Sequence, residues 1–241
     1  MSETYDEQAD LTFLAIARKL EPIDASAPLR KQAYTQLRQA IADADIYGSE
    51  REIRLDERKL TTALGVSRTP VREAITLLEQ EGFLRTVPRR GVYITRKTRA
   101  EIIEMIHLWA ALESMAARLA AERATDGEIA SLRAMFHDFH EHSPADDIDN
   151  YSDANIAFHQ AVVTLSKSEV ISQTLSNIFA HVRAIRRHTI SQSDRASRSM
   201  ADHEEIIAAL ERRDGELAEA IVRRHSLDLA AFVETNWGMS V

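Results

Sequence analysis

The sequence predicts a mainly α protein in two parts. An N-terminal winged helix-turn-helix of three helices and a β-hairpin precedes an all-α bundle of about six helices. Charge is the first observation behind this. The 241 residues carry a net charge of -8, but residues 28–99 alone sum to +6, against -4 for residues 1–27 and -10 for residues 100–241. A basic block inside an acidic chain is what a phosphate-seeking module attached to a soluble partner domain looks like. The second observation is a change of hydrophobic period on either side of Thr95–Ala100, where TRKTRA supplies no core residue. The expected division is therefore an extension over 1–27, a winged helix-turn-helix domain over 28–97 and a helical domain over 98–241.

Taken in order, a short helix over Leu11–Leu20 has no readable role. Helices are expected over Leu29–Asp43, Asp56–Leu64 and, after a turn at Gly65, Ser67–Glu81. Leu84–Val87 and Val92–Thr95 alternate around PRRG, as a hairpin does. From Glu101 onward Ala, Leu, Glu and Arg dominate, with apolar residues three and four apart, as in Leu217, Ile221, Leu229 and Phe232. Breaks at Thr125–Gly127, Ser143–Pro144, Ser166–Ser168, Ser191–Ser193 and Asp214–Gly215 cut this stretch into an antiparallel bundle.

Composition excludes several classes. Without cysteine there is no disulfide framework, iron–sulfur cluster or thiol nucleophile, which suits a reducing compartment. No apolar run is long enough to span a membrane. The acidic opening MSETYDEQAD differs from a secretory signal, so a cytoplasmic location is expected.

The helix opening at Ser67 holds the chemistry of the basic block. Ser67 or Thr69 can cap it, and Pro70 is tolerated in its first turn, where N–H groups lack intrahelical acceptors. Those amides and the positive end of the helix dipole favour phosphate. Arg68 and Arg72 lie four apart on one face. A guanidinium can bridge O6 and N7 of guanine, while Ser67 and Thr69 can hold phosphate oxygens. Arg89, Arg90 and Gly91 in the hairpin loop suit a minor groove, and Arg58 can reach the backbone. Val71, Ile75, Leu78 and Phe83 face the module's own core. The same spacing also describes an ordinary solvated helix face; the turn glycine, capped helix start and basic hairpin together favour DNA.

LTTALGVSRTPVREAITLLEQEGFLRTVPRRGVYIT resembles the winged helix of the GntR family of bacterial transcription regulators across residues 29–96. The resemblance implies operator contact by Arg58, Ser67, Arg68, Thr69, Arg72, Arg90 and Gly91. One departure is SEREIRL where the family has PGxxL, which leaves the recognition helix intact.

In the second block, three histidines fall on otherwise apolar helical stripes. His225 follows Leu217 and Ile221 and precedes Leu229, His203 leads Ile206, Ile207 and Leu210, and His159 lies among Ile156, Val162 and Val163, with Asn155 one turn earlier. A single such histidine is ordinarily a hydrogen-bonded core residue. Three entering one bundle invite a shared divalent ion such as zinc, nickel or manganese, held by nitrogen and oxygen alone. LxALESMAARLAA, NIAFHQAVVTLS and DHEEIIAALERRDGELAEAIVRRH make residues 101–233 similar to the FCD domain of the FadR subfamily. The resemblance implies a metal at Asn155, His159, His203 and His225, with a small organic acid anchored beside it. Asn155 stands where aspartate is usual, and Asp153 is off the face of His159. Trp109 stands where many relatives carry an arginine for the effector carboxylate; Arg183, Arg186 or Arg187 can supply that charge, and His181 and His188 can line the cavity.

The expected function is a homodimeric DNA-binding regulator, a repressor modulated by a small carboxylate, with no membrane partner. Two alternatives stay open: a sensor for which the metal itself is the signal, and a metal-dependent hydrolase, although no HExxH or paired-carboxylate motif is present.

Overall fold

The computed structural model describes residues 3–23, 28–48, 51–139, 143–192 and 194–236, with the side chains of residues 3–9 and 177 left aside. The chain divides into two compact units at Lys97/Thr98. The ends of the expected extension and of the helical domain, together with Ser49 and Glu50 of SEREIRL and Ser193, lie outside the described residues.

The first unit contains α1 (Glu3–Arg18), α2 (Leu29–Ala42), β1 (Arg54–Leu55), α3 (Glu57–Leu64), α4 (Arg68–Gln80), β2 (Leu84–Val87) and β3 (Gly91–Ile94). The extension helix starts and ends earlier than the expected Leu11–Leu20; it buries Phe13 and Ile16, and Leu20 is buried just beyond its end. Asp56 caps α3 by accepting from the Arg58 and Lys59 amides at 2.9 and 3.2 Å. Gly65 ends it at φ 65°, a left-handed conformation that glycine adopts without the steric cost of a Cβ. α4 then buries Val71, Ala74, Ile75 and Leu78 against the rest of the unit. Ser67 occupies the cap position of α4 without a side-chain cap bond, and Thr69 is already inside the helix.

The wing has three strands where a two-stranded hairpin was expected. β3 pairs antiparallel with both β2 and β1, with Arg54 opposite Tyr93 and Leu55 opposite Val92. A strand of two residues carries no alternation for periodicity to detect, and the departure SEREIRL is where it forms.

The second unit contains α5 (Arg99–Arg123), α6 (Asp126–Ala134), a 3-10 turn (His137–Phe139), α7 (Ile148–Leu165), α8 (Glu169–Ile190), α9 (Arg195–Glu211) and α10 (Gly215–Asn236). Thr98 and Thr125 open α5 and α6 with reciprocal capping boxes to Glu101 and Glu128, each satisfying two otherwise orphaned amide donors. α10 runs against α5, and at the start of α10 a Cβ on Gly215 would meet the Arg118 carbonyl oxygen at 3.1 Å. The expected α10 stripe needs one correction: Leu217 is exposed. The buried face is Ala218, Ile221, Val222, His225, Leu229 and Val233.

Candidate metal centre and nucleic-acid interface

In the first unit, Ser67, Arg68, Thr69 and Arg72 are all exposed at the start of α4, and Arg58 is exposed on α3. No acidic residue occupies the first turn of α4, so nothing there competes with an anion for the free amides and the dipole. At the wing tip, Arg89 has φ 63° and Gly91 φ 119°. Arg89 and Arg90 are exposed on a turn closed by the Arg90 amide on the Val87 carbonyl at 3.0 Å. A Cβ on Gly91 would lie 2.8 Å from Arg54 Nε, a side chain that can swing aside, so it is the backbone conformation that favours glycine there.

The second unit brings together His159 from α7, His203 from α9 and His225 from α10, their candidate ligand atoms all within 4.8 Å of one another. All three are buried, and ring centroids are 5.0–5.2 Å apart. Their outer nitrogens are occupied. His159 Nδ1 is 2.5 Å from Glu113 Oε1, His225 Nδ1 is 2.9 Å from Asp202 Oδ2, and His203 Nδ1 is 3.5 Å from the Tyr151 hydroxyl. In the tautomer with hydrogen on Nδ1, carboxylates hold two rings so that Nε2 presents a lone pair inward. His159 Nε2 is buried with no partner. His203 Nε2 is 3.4 Å from Ser199 Oγ, and His225 Nε2 is 3.5 Å from an Arg186 guanidinium nitrogen. Asn155, also buried, places Oδ1 3.4 Å from the same Ser199 hydroxyl.

This donor set fits a divalent ion. A buried imidazole nitrogen lacking a partner is costly, and three neutral imidazoles with an amide oxygen are acceptable ligands for a borderline metal. Burial holds His159 and His203 well below the ordinary imidazole range, reinforced for His159 by Arg186 and for His203 by His225. Burial also lowers His225, against the pull of Asp202. All three are therefore in the neutral, ligating form near pH 7.

Glu113 is the residue sequence reasoning missed. Fully buried on α5, its Oε2 accepts from Trp109 Nε1 at 2.5 Å and from Ser226 Oγ at 3.1 Å. Burial raises its pKa, opposed chiefly by Arg186. The available signal was a glutamate on the same stripe as Ile102, Ile106, Trp109 and Ala117. Trp109 accordingly serves the carboxylate that orients His159, and its ring packs 5.6 Å from Phe179.

Of the arginines considered for an effector, Arg186 reaches the histidines. It is buried, its Nε has no partner, and its guanidinium lies 3.9 Å from Glu113. Arg187 is instead bound to Asp153. One residue on a helix is a turn of about 100°, enough to send the two arginines to different surroundings. His181 is buried and Arg183 half-buried on α8; His181 is outside the three-histidine group. A pocket of about 210 Å³ opens beside the cluster, lined by Arg195, Arg198, Ser199, Asp202, His225 and Asp228.

Residues 29–94 match the gntR family of bacterial regulatory proteins and residues 104–228 match the FCD domain. The chain belongs to the GntR family. Among relatives of this GntR-family regulator, the HTH-type transcriptional repressor RspR of Escherichia coli K12 is 25% identical over 211 residues, 88% of this chain and 91% of the relative. The Nta operon transcriptional regulator of Aminobacter aminovorans is 36% identical over 133 residues, 55% of this chain and 63% of the relative. The fold is shared with E. coli McbR/YncC, at a TM-score of 0.73 and 20% identity over 88% of this chain and 100% of the other. A GntR regulator from Rhodococcus sp. RHA1 gives 0.69 and 23% over 86% and 98%. The chain is thus a DNA-binding transcriptional regulator rather than an enzyme, and the hydrolase alternative falls away. Among the described residues, no helix is long and apolar enough to cross a membrane.

Proposed function

We propose that this regulator is a homodimeric repressor of the FadR subfamily, whose operator affinity is set by a small organic acid bound beside a divalent ion in the helical domain. The carrying observation is the inward convergence of the three buried histidines, with His159 Nε2 unpartnered. Asn155, His159, His203 and His225 would hold the ion. When bound, it supplies a positive centre that attracts a carboxylate, and Arg186 stands ready to pair with the same group. Glu113 and Asp202 fix the orientation of the His159 and His225 rings.

In the head, Arg68 and Arg72 would read base edges, and Ser67, Thr69, Arg58, Arg89 and Arg90 would hold the backbone. A dimer would place two α4 helices in successive major grooves of a near-palindromic operator. The effector would bias one arrangement of the heads, by no more than its difference in affinity between arrangements.

The test is operator binding by fluorescence anisotropy on metal-loaded and chelated protein, with and without a panel of small carboxylates. The reading expects a carboxylate to weaken binding only in the loaded protein. A response to chelation alone favours the metal-sensor alternative, and no response to either removes the ligand-controlled reading.

A further inference from the structure

Three neutral imidazoles and an amide bring no negative charge to a divalent ion. The carboxylates that hold these rings are already matched: Asp202 binds Arg224 at 2.9 Å, and Glu113 faces Arg186 at 3.9 Å. Asn155 keeps Nδ2 buried without a partner and adds a dipole but no charge. Arg186 is the group that conflicts with an ion. A guanidinium can only donate, and its Nη1 lies 3.5 Å from His225 Nε2. The other nitrogen of that ring is held by Asp202 at 2.9 Å. With the proton on Nδ1, Nε2 has a single lone pair, and it is the one that ligation requires. Arg186 is buried, so water screens its charge poorly. Its other contacts are long as well, 3.5 Å to the Ser226 hydroxyl and 3.9 Å to Glu113, and its Nε has no partner.

We propose that Arg186 is a built-in competitor for the metal: its guanidinium takes the His225 lone pair that the ion needs, and so holds the affinity of the site below what its histidines would otherwise give. This rests on the metal site proposed above and assigns the residue that sets its strength. Two effects act in the same direction. The guanidinium and an ion cannot share one lone pair, and a fixed positive charge in a buried setting repels a second one. Loading the site therefore requires Arg186 to leave His225, which its long contacts make feasible. Once displaced, the guanidinium is available to pair with an effector carboxylate, so the residue that opposes the ion serves the acid.

Competition titration of zinc against a chelating dye at a fixed neutral pH, on the full-length protein, tests this. Arg186→Gln is expected to bind zinc about tenfold or more tightly than wild type, the scale on which groups around the ligands alter metal affinity. A residue with only a packing role would lower the affinity on removal or leave it unchanged. Arg198→Gln, which removes an exposed charge on α9, controls for the general field and should match wild type. A crystal structure of zinc-loaded wild type gives a second reading that needs no variant to fold: Arg186 should have left His225 Nε2. An unchanged or lower affinity in folded Arg186→Gln would overturn the proposal and leave the metal site standing. So would an equal gain in Arg198→Gln, or a loaded wild type in which Arg186 still donates to His225. No zinc binding by wild type or either variant would remove the metal site as well.

Discussion

The two units of this GntR regulator place their chemistry in opposite environments. In the head, Arg68, Arg72, Arg89 and Arg90 are exposed on a helix start and a turn, and their role depends on what the surface presents to DNA. In the helical domain, His159, His203, His225, Glu113 and Arg186 are all buried; Glu113 holds His159 and faces Arg186, Arg186 reaches His225, and His203 sits between Tyr151 and Ser199. The difference teaches where function and stability are separable. An exposed arginine can be removed at little cost to folding, whereas a buried polar cluster cannot lose a member without stranding the rest.

The largest expected effect is on the buried side. Glu113→Ala removes the acceptor for Trp109 and Ser226, frees the His159 ring and leaves Arg186 without its carboxylate. Denaturant unfolding should show a loss of about 3–5 kcal/mol; a loss below about 1 kcal/mol would mean that the cluster is less interdependent than its geometry implies. Glu113→Gln keeps the size but weakens the acceptor to His159, so metal affinity should fall by about 10–100-fold in a competition titration with a chelating dye.

On the exposed side, Arg72→Ala should weaken specific operator binding by about 1–3 kcal/mol if it reads a base, while unfolding stability stays within about 0.5 kcal/mol of wild type. An unchanged footprint would contradict the assignment. Arg90→Ala should act more weakly and uniformly across sequences, reducing the salt slope of binding by about one.

Acid sharpens the contrast because all nine histidines lie in the helical domain. The three clustered ones have lowered pKa values in the fold, so the unfolded chain takes up protons first as pH falls through about 6.5. Metal-free stability of that unit should therefore decline below that pH. Glu113, raised by burial, acts in the opposite direction, one group against three. Unfolding at pH 7 and pH 5.5, followed by Trp109 fluorescence, checks the sign; greater stability at the lower pH would mean that Glu113 dominates.

Much of this was legible beforehand, unevenly and for physical reasons. SRTPVRE announces a helix start because proline and the residue types around it are constrained locally, and its side chains work on the surface where they stand. The three histidines were visible from helical spacing because each sits on its own apolar stripe. Their partners were not, since Glu113 on α5 meets His159 on α7 only through packing. Arg186 and Arg187 could not be told apart without the rotation of α8. The two-residue β1 lies below the reach of any periodic signal, and Leu217 kept the spacing of its stripe while turning to solvent.

The central claim is that buried histidines on three helices form one metal site. Elemental analysis of purified full-length protein after dialysis with zinc, comparing wild type with His159→Ala, His203→Ala and Arg72→Ala, tests it most directly. The account predicts one retained equivalent per chain in wild type and Arg72→Ala, and loss in both histidine variants. Equal metal content in all four proteins would contradict it.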